Sequence, residues 1–182
     1  GRMGQAGLAM AAISLTTLDR KLARAMEPRA STPERRLEAI TVLSQAGLPV
    51  SVSFAPIIPG LNDHELEAVL ERGAQAGACI AHFTVLRLPL EIKDLFAQWL
   101  QAERPDRAKR VMSLVRQMRG GRDYDPAWGK RMKGEGPIAD LIAARFRAAC
   151  KRYGLNQERV TLDCGQFRPP PRPSNQQDLF AP

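Results

Sequence analysis

The chain has 182 residues, 44% of them hydrophobic, so it is long and apolar enough for one domain with a real core, and a wholly disordered chain is excluded. Its 27 Lys and Arg against 19 Asp and Glu give a net charge of +8, which favours anionic partners such as nucleic acid or phosphate ligands. Its apolar runs all fall well short of the ~20 residues needed to span a bilayer. The three cysteines, Cys79, Cys150 and Cys164, are far apart and odd in number, so neither a disulfide framework nor a zinc spacing is expected. Free thiols of this kind fit a reducing cytoplasm.

Gly1 to Gly7 has none of the basic start, apolar stretch and cleavage site of a signal peptide. A first apolar strand is predicted near Leu8 to Thr17. It ends in SLTTLD, where Ser14, Thr16, Thr17 and Asp19 either begin a helix or present polar groups to a ligand. Asp19 and Thr17 are ready helix caps; Ser14 and Thr16 are not. A short helix follows, then Met26, Glu27, Pro28 and Arg29, where Glu27 reads either as a ligand acceptor or as an ordinary pair with Arg29.

The spacing of Leu37, Ile40, Val42, Leu43 and Ala46 predicts an amphipathic helix over 33–46. Thr32 or Ser31 caps it, Pro33 fits its first turn and Gly47 ends it. PVSVSFAPI, Pro49 to Ile57, is a buried strand pattern. Asn62 and Asp63 are expected to cap a helix over 64–76, with Leu66, Val69, Leu70 and Ala74 on its apolar face. CIAHFTVLRL, Cys79 to Leu88, is a third strand. Strands alternating with amphipathic helices predict an α/β fold with a parallel sheet, and three strands are too few for a closed barrel.

Beyond Leu88 the pattern becomes helical, over 90–102, 105–119 and 137–153. The expected organisation is a half barrel over 1–103, a basic helical extension over 104–168 and a proline-rich tail over 169–182. Between the last two helices lies GGRDYDPAWGKRMKGEG, Gly120 to Gly136, a long loop rich in glycine and charge. Arg107, Lys109, Arg110, Arg116, Arg119 and Arg122 lead into it. Lys130, Arg131, Lys133, Arg145, Arg147, Lys151 and Arg152 follow. With Tyr124 and Trp128 among them, these residues either grip a nucleic-acid backbone or form a solvated basic face.

Ligands of parallel α/β folds lie at the carboxyl ends of the strands. Those ends are Ser14, Thr16 and Thr17; then Ala55, Pro56, Ile57 and the run to Asp63; then Leu86, Arg87 and Leu88. A hydroxyl there can meet a carboxylate or a ribose, and Arg36 can pair with a carboxylate.

SLTTLDRKLARAMEPRASTPERRLEAI, AGLPVSVSFAPIIPGLND, LRLPLEIKDLF, RGGRDYD and RMKGEG together resemble the carboxyl-terminal half of radical S-adenosylmethionine proteins. The nearest group is similar to spore photoproduct lyase and is called DNA-repair-photolyase-like. The resemblance implies part of a (β/α)6 barrel followed by helices. It implies S-adenosylmethionine and a [4Fe-4S] cluster that together generate a 5′-deoxyadenosyl radical, which abstracts hydrogen from a nucleic-acid substrate in lyase-like repair chemistry. It places Ser14 and Thr16 near the amino acid or ribose of the cofactor. Glu27 and Arg36 support or contact it, Ala55, Pro56 and Ile57 face the adenine, and Arg87 closes the rim. The CxxxCxxC loop that holds the cluster in such proteins does not occur in this sequence. The expectation is therefore a truncated chain, inactive alone, with the cluster loop before Gly1.

The tail contains QQDLF, which resembles the peptide by which proteins bind the bacterial sliding clamp. It gives Gln176, Asp178, Leu179 and Phe180 as partner-binding residues. The alternatives are a non-catalytic module that binds nucleic acid or the clamp, and a small-molecule α/β enzyme. The last has little support, since His64 and His82 fall in no triad-like pattern and there is no glycine-rich phosphate loop.

Overall fold

A computed structural model describes residues 1–169. After a four-residue helix α1 (Arg2–Gln5), strand β1 (Ala11–Ser14) leads to α2 (Arg20–Met26) and α3 (Pro33–Gln45). Strand β2 (Val50–Ile57) leads through a 3-10 turn (Asp63–Glu65) to α4 (Leu66–Gln75), and β3 (Ile80–Val85) follows. Helices α5 (Ile92–Glu103), α6 (Pro105–Gln117) and α7 (Pro137–Tyr153) complete the described chain. The three strands form one parallel sheet in the order β1-β2-β3. This is an α/β segment of the barrel type with a helical carboxyl-terminal region, as the alternation of patterns predicts.

The local reasons are legible. Asp19 caps α2 by accepting from the backbone N–H groups of Lys21 and Leu22, and Thr32 caps α3 by accepting from Arg35 N–H. Pro33, Pro105 and Pro137 each open a helix, where the missing N–H is no loss. Gly154 ends α7 in the left-handed conformation at φ 70°.

The two faces of the sheet differ in chemistry. Val50, Val52 and Phe54 of β2 are fully buried and belong to a core with Leu37 and Ile40 of α3 and Leu66, Val69 and Leu70 of α4. Gly73 lets α4 lie against Val52: a β-carbon there would fall 2.8 Å from Val52 Cγ1. Helix α7 packs against α4, and its Phe146 ring lies 4.7 Å from Phe83 of β3. Apart from the buried Ile80, the residues that the strand register places on the other face include Ala12, Ser14, Ser51, Ser53, Ala55 and His82. These are small or polar, and Ala12, Ser14 and His82 are exposed.

A second core joins Leu22 of α2, Ile58 and Leu61 after β2, Leu88 after β3, Leu100 of α5, and Val111, Met112 and Val115 of α6. The outer side of β3 is covered differently. Asn156, with φ 58°, accepts from Ala81 N–H and donates to Ala81 C=O through its side-chain amide, and Val85 N–H donates to the Met132 carbonyl.

Several expectations shift. The first strand is four residues rather than ten, because Leu15, Thr16 and Thr17 already turn into the loop before α2. The third strand stops at Val85, although Leu86 N–H still donates to the Ile57 carbonyl, while Val85 N–H meets the Met132 carbonyl of the 120–136 loop. Val42, placed on the apolar side of α3, is 59% exposed, since only Leu37 and Ile40 of that helix are buried against the sheet. Among the described residues no helix is long and apolar enough to cross a membrane.

Candidate functional site at the strand ends

The first predicted group does come together. Thr16 is buried, and its hydroxyl donates to Glu27 Oε2 at 2.9 Å. Arg36 donates to the same oxygen through Nη2 at 3.0 Å, to the Ser14 carbonyl through Nη1 at 2.9 Å, and to the Ser31 carbonyl through Nε at 3.1 Å. One guanidinium thus links the end of β1, the residue after α2 and the entry to α3. Glu27 pairs with Arg36 and not with its sequence neighbour Arg29. Glu27 also borders a cleft of about 240 Å³ between α2 and the start of α3, together with Arg20, Arg24 and Ser31.

Ser14 itself is exposed on the face of the sheet that carries the small residues, so its side chain points where its carbonyl does not. Ala55 and Pro56 are half-buried at the end of β2, joined by a cis peptide bond, and Ile57 is fully buried. Ile57 therefore offers a ligand its backbone surroundings and not its side chain.

One residue that sequence reasoning treated as a cap holds the strand ends together. Asn62 is fully buried and makes no cap hydrogen bond. Its Oδ1 accepts from Ile58 N–H at 2.6 Å, and its Nδ2 donates to the carbonyls of Thr16 at 2.8 Å and Pro56 at 3.0 Å. Asp63 accepts from Gly60 N–H and shapes the loop. Glu65 was not anticipated: its Oε2 accepts from the Thr17 hydroxyl at 2.6 Å and from Leu18 N–H at 3.0 Å. The signal for both was weak, because Asn and Glu near a helix start read first as capping residues.

At the third strand end, Arg87 shares no hydrogen bond with the Glu27–Arg36 group. Its guanidinium reaches Met132 Sδ at 3.7 Å and the Tyr124 hydroxyl at 3.4 Å, both in the 120–136 loop. Arg119, at 2% exposure, donates to the carbonyls of Lys130 and Leu86. Burial pushes its pKa below the usual arginine value. Trp128 in the same loop is 86% exposed, with the Arg131 guanidinium 4.6 Å from its ring centre.

The cysteines do not meet. Cys79 and Cys164 are exposed and Cys150 is buried, and among the described residues no three His, Cys, Asp or Glu side chains are grouped as metal ligands. These residues do not fit an iron-sulfur cluster. At the end of β1 the Ser14 side chain makes no hydrogen bond among the described residues, whereas Thr16, Glu27 and Arg36 are bonded to one another. Ser14 is open beside the small residues Ser53 and Ala55, and the buried Ser51 Oγ has no protein partner. QQDLF, with Gln176, Asp178, Leu179 and Phe180, lies outside the described residues.

Residues 2–73 match the family model of the Radical SAM superfamily. That span runs from α1 through β1, the Thr16–Glu27–Arg36 group and β2 into α4, so the radical SAM match covers the first two strand ends and stops before the third. Uncharacterized proteins of Mycobacterium tuberculosis and Mycobacterium bovis are each 32% identical to the chain over 140 residues, which is 76% of this chain and 39% of each relative. An uncharacterized protein of Acidianus two-tailed virus is 45% identical over 47 residues, 26% of this chain and 16% of its own length. The chain thus spans well under half the length of these relatives. No solved structure matches it significantly.

Proposed function

We propose that this chain is the S-adenosylmethionine-gripping part of a radical S-adenosylmethionine enzyme, and that the enzyme acts on nucleic acid in a lyase-like repair reaction. The observation that carries the reading is the coincidence of the family match with the bonded group of Thr16, Glu27 and Arg36 at the open end of β1. When bound together, the cofactor and its cluster supply hydrogen-abstraction chemistry. In this reading the cluster thiolates come from outside these 182 residues, which alone carry out no such chemistry.

The chain's own residues then have distinct roles. Ser14 and Thr16 lie beside the amino acid or ribose end. Glu27 holds the Thr16 hydroxyl in one orientation. Arg36 is a positioning residue: three of its N–H groups are already committed to protein acceptors, so it fixes the Ser14 backbone and the Glu27 carboxylate rather than reaching for ligand. Ala55, Pro56 and Ile57 supply the backbone surroundings of the adenine, and Asn62 keeps that segment at a set distance from β1.

The test uses the whole protein with its cluster, under reducing conditions, with 5′-deoxyadenosine release as the readout. Arg36→Lys and Thr16→Val should raise the concentration of S-adenosylmethionine needed for half-maximal cleavage by about tenfold, the effect of losing ~1.4 kcal/mol of binding. Wild-type protein that neither binds nor cleaves the cofactor would remove the reading.

A second reading has its own support. The exposed Trp128 with its stacked Arg131 gives a base a flat surface beside cations, which suits a module that binds nucleic acid without catalysis. DNA affinity that is indifferent to salt speaks against it. Binding of the sliding clamp through the tail is a separate proposal, removed if Leu179→Ala with Phe180→Ala leaves clamp affinity unchanged.

A further inference from the structure

Two arginines, Arg87 and Arg119, lie within electrostatic reach of one another at the carboxyl end of β3. Arg87 is the second residue beyond Val85, the last residue of β3. Its Nε is buried and has no partner. Its two terminal nitrogens have only a thioether sulfur and a hydroxyl at 3.4 Å, neither of which satisfies a guanidinium. Arg119 lies against the neighbouring backbone, donating to Leu86 C=O at 2.7 Å, and is almost wholly buried. Among the described residues no carboxylate lies within 4.0 Å of either guanidinium. Asp125 is an acidic group whose field reaches Arg119, without forming an ion pair with it. Two neighbouring guanidiniums without a carboxylate in contact favour an anion beside them.

The loop above adds to the case. Arg122, Arg131 and Lys133 make no ion pair among the described residues, whereas Lys130 pairs with Glu135. An exposed indole stands among them. A flat aromatic surface beside unpaired cations suits a base attached to a phosphate better than it suits a simple carboxylate.

We infer that Arg87, backed by Arg119, is the seat for a phosphate group of a nucleotide, with Trp128 the surface on which its base stacks. Arg87 offers a phosphate its terminal N–H groups, which a thioether and a hydroxyl at 3.4 Å hold only weakly. Arg119 holds the loop to β3 through its two carbonyl bonds and contributes charge from behind. This deepens the nucleic-acid reading above by naming the residues that take the substrate. It also removes Arg87 from the cofactor contacts that the sequence resemblance implies and gives it to the substrate.

The experiment needs neither reductant nor S-adenosylmethionine, so it stands or falls apart from the radical reading. The whole protein is titrated with a fluorescein-labelled short single-stranded DNA, alone and in competition with inorganic pyrophosphate and with a nucleoside monophosphate. Arg87→Gln should weaken binding of the probe that binds by about tenfold. Arg29→Gln removes the same charge from an exposed position after α2, away from the seat, and should cost less than about twofold. Competition by the small phosphates at moderate concentration assigns the seat to a free nucleotide. DNA binding without such competition assigns it to a strand. Equal losses in the two variants, or no loss in Arg87→Gln, overturn the proposal. If Arg87→Gln does not fold, Arg87→Lys carries the test. It keeps the charge and loses the planar fork, and an affinity equal to wild type overturns the proposal.

Discussion

Asn62 offers the most direct check on how the strand ends are held. Asn62→Leu keeps the approximate volume and removes every hydrogen bond. It leaves one buried N–H, that of Ile58, and two carbonyls, those of Thr16 and Pro56, without their side-chain partner. An unsatisfied buried donor costs about 1–3 kcal/mol, and a carbonyl with a second lone pair less. The added apolar burial of leucine returns about 1 kcal/mol. The net loss should be about 3 kcal/mol, a large fraction of the 5–15 kcal/mol typical of a domain. Urea unfolding followed by circular dichroism gives the number directly, as a lower midpoint at unchanged slope. A loss under about 1 kcal/mol would falsify the view that this amide ties β1 to β2.

Three further outcomes follow from other contacts. Gly73→Ala gains helix propensity yet places a methyl within 2.8 Å of Val52 Cγ1, so it should destabilise by about 1–3 kcal/mol in the same unfolding assay; a more stable variant would contradict the close packing of α4 on β2. Glu67 accepts two bonds from Arg145, at 2.7 and 2.6 Å, and these hydrogen bonds hold its carboxyl below the ordinary 4.5. Its folded pKa is depressed, so its contribution is present above about pH 4.5 and is lost as pH falls through the lowered folded value. The pair is partly exposed and should be worth about 1 kcal/mol or less. Between pH 5 and pH 3 wild type should lose more stability than Glu67→Gln, and parallel curves count against the pairing. Finally, burial pushes the Cys150 thiol above its ordinary pKa while Cys79 and Cys164 are exposed. A thiol reagent should label two cysteines in the native protein and the third only on unfolding; fast labelling of all three contradicts this placement.

The parts of the fold written in periodicity were readable. Leu66, Val69 and Leu70 in α4, and Ile142, Phe146, Ala149 and Cys150 in α7, are buried as their spacing requires. Asp19 and Thr32 cap where their positions place them. What could not be read is what depends on residues distant in sequence. Arg36 finds the Ser14 carbonyl 22 residues away, and Asn62 finds Thr16 46 residues away. No local pattern separates such an asparagine from a helix cap. Arg119 is the sharpest case. Within a run of basic residues it reads as one more solvated charge, but it is buried because the loop after it folds back over β3. At the site, residue types were legible and partnerships were not: Glu27 reads as a ligand acceptor or as a pair with Arg29, and the fold pairs it with Arg36 instead.

The Asn156 amide has a consequence for how this protein meets copies of itself. An outermost parallel strand ordinarily offers a row of free donors and acceptors to any passing chain. Here one side-chain amide occupies both backbone groups of Ala81, and a loop carbonyl occupies the N–H of Val85, so the far border of the sheet is stoppered near both ends. Unwanted strand addition is thereby steered away from β3 and toward β1. Slow amide hydrogen exchange at Ala81 and Val85, despite their border position, would report that protection, and fast exchange at both would deny it.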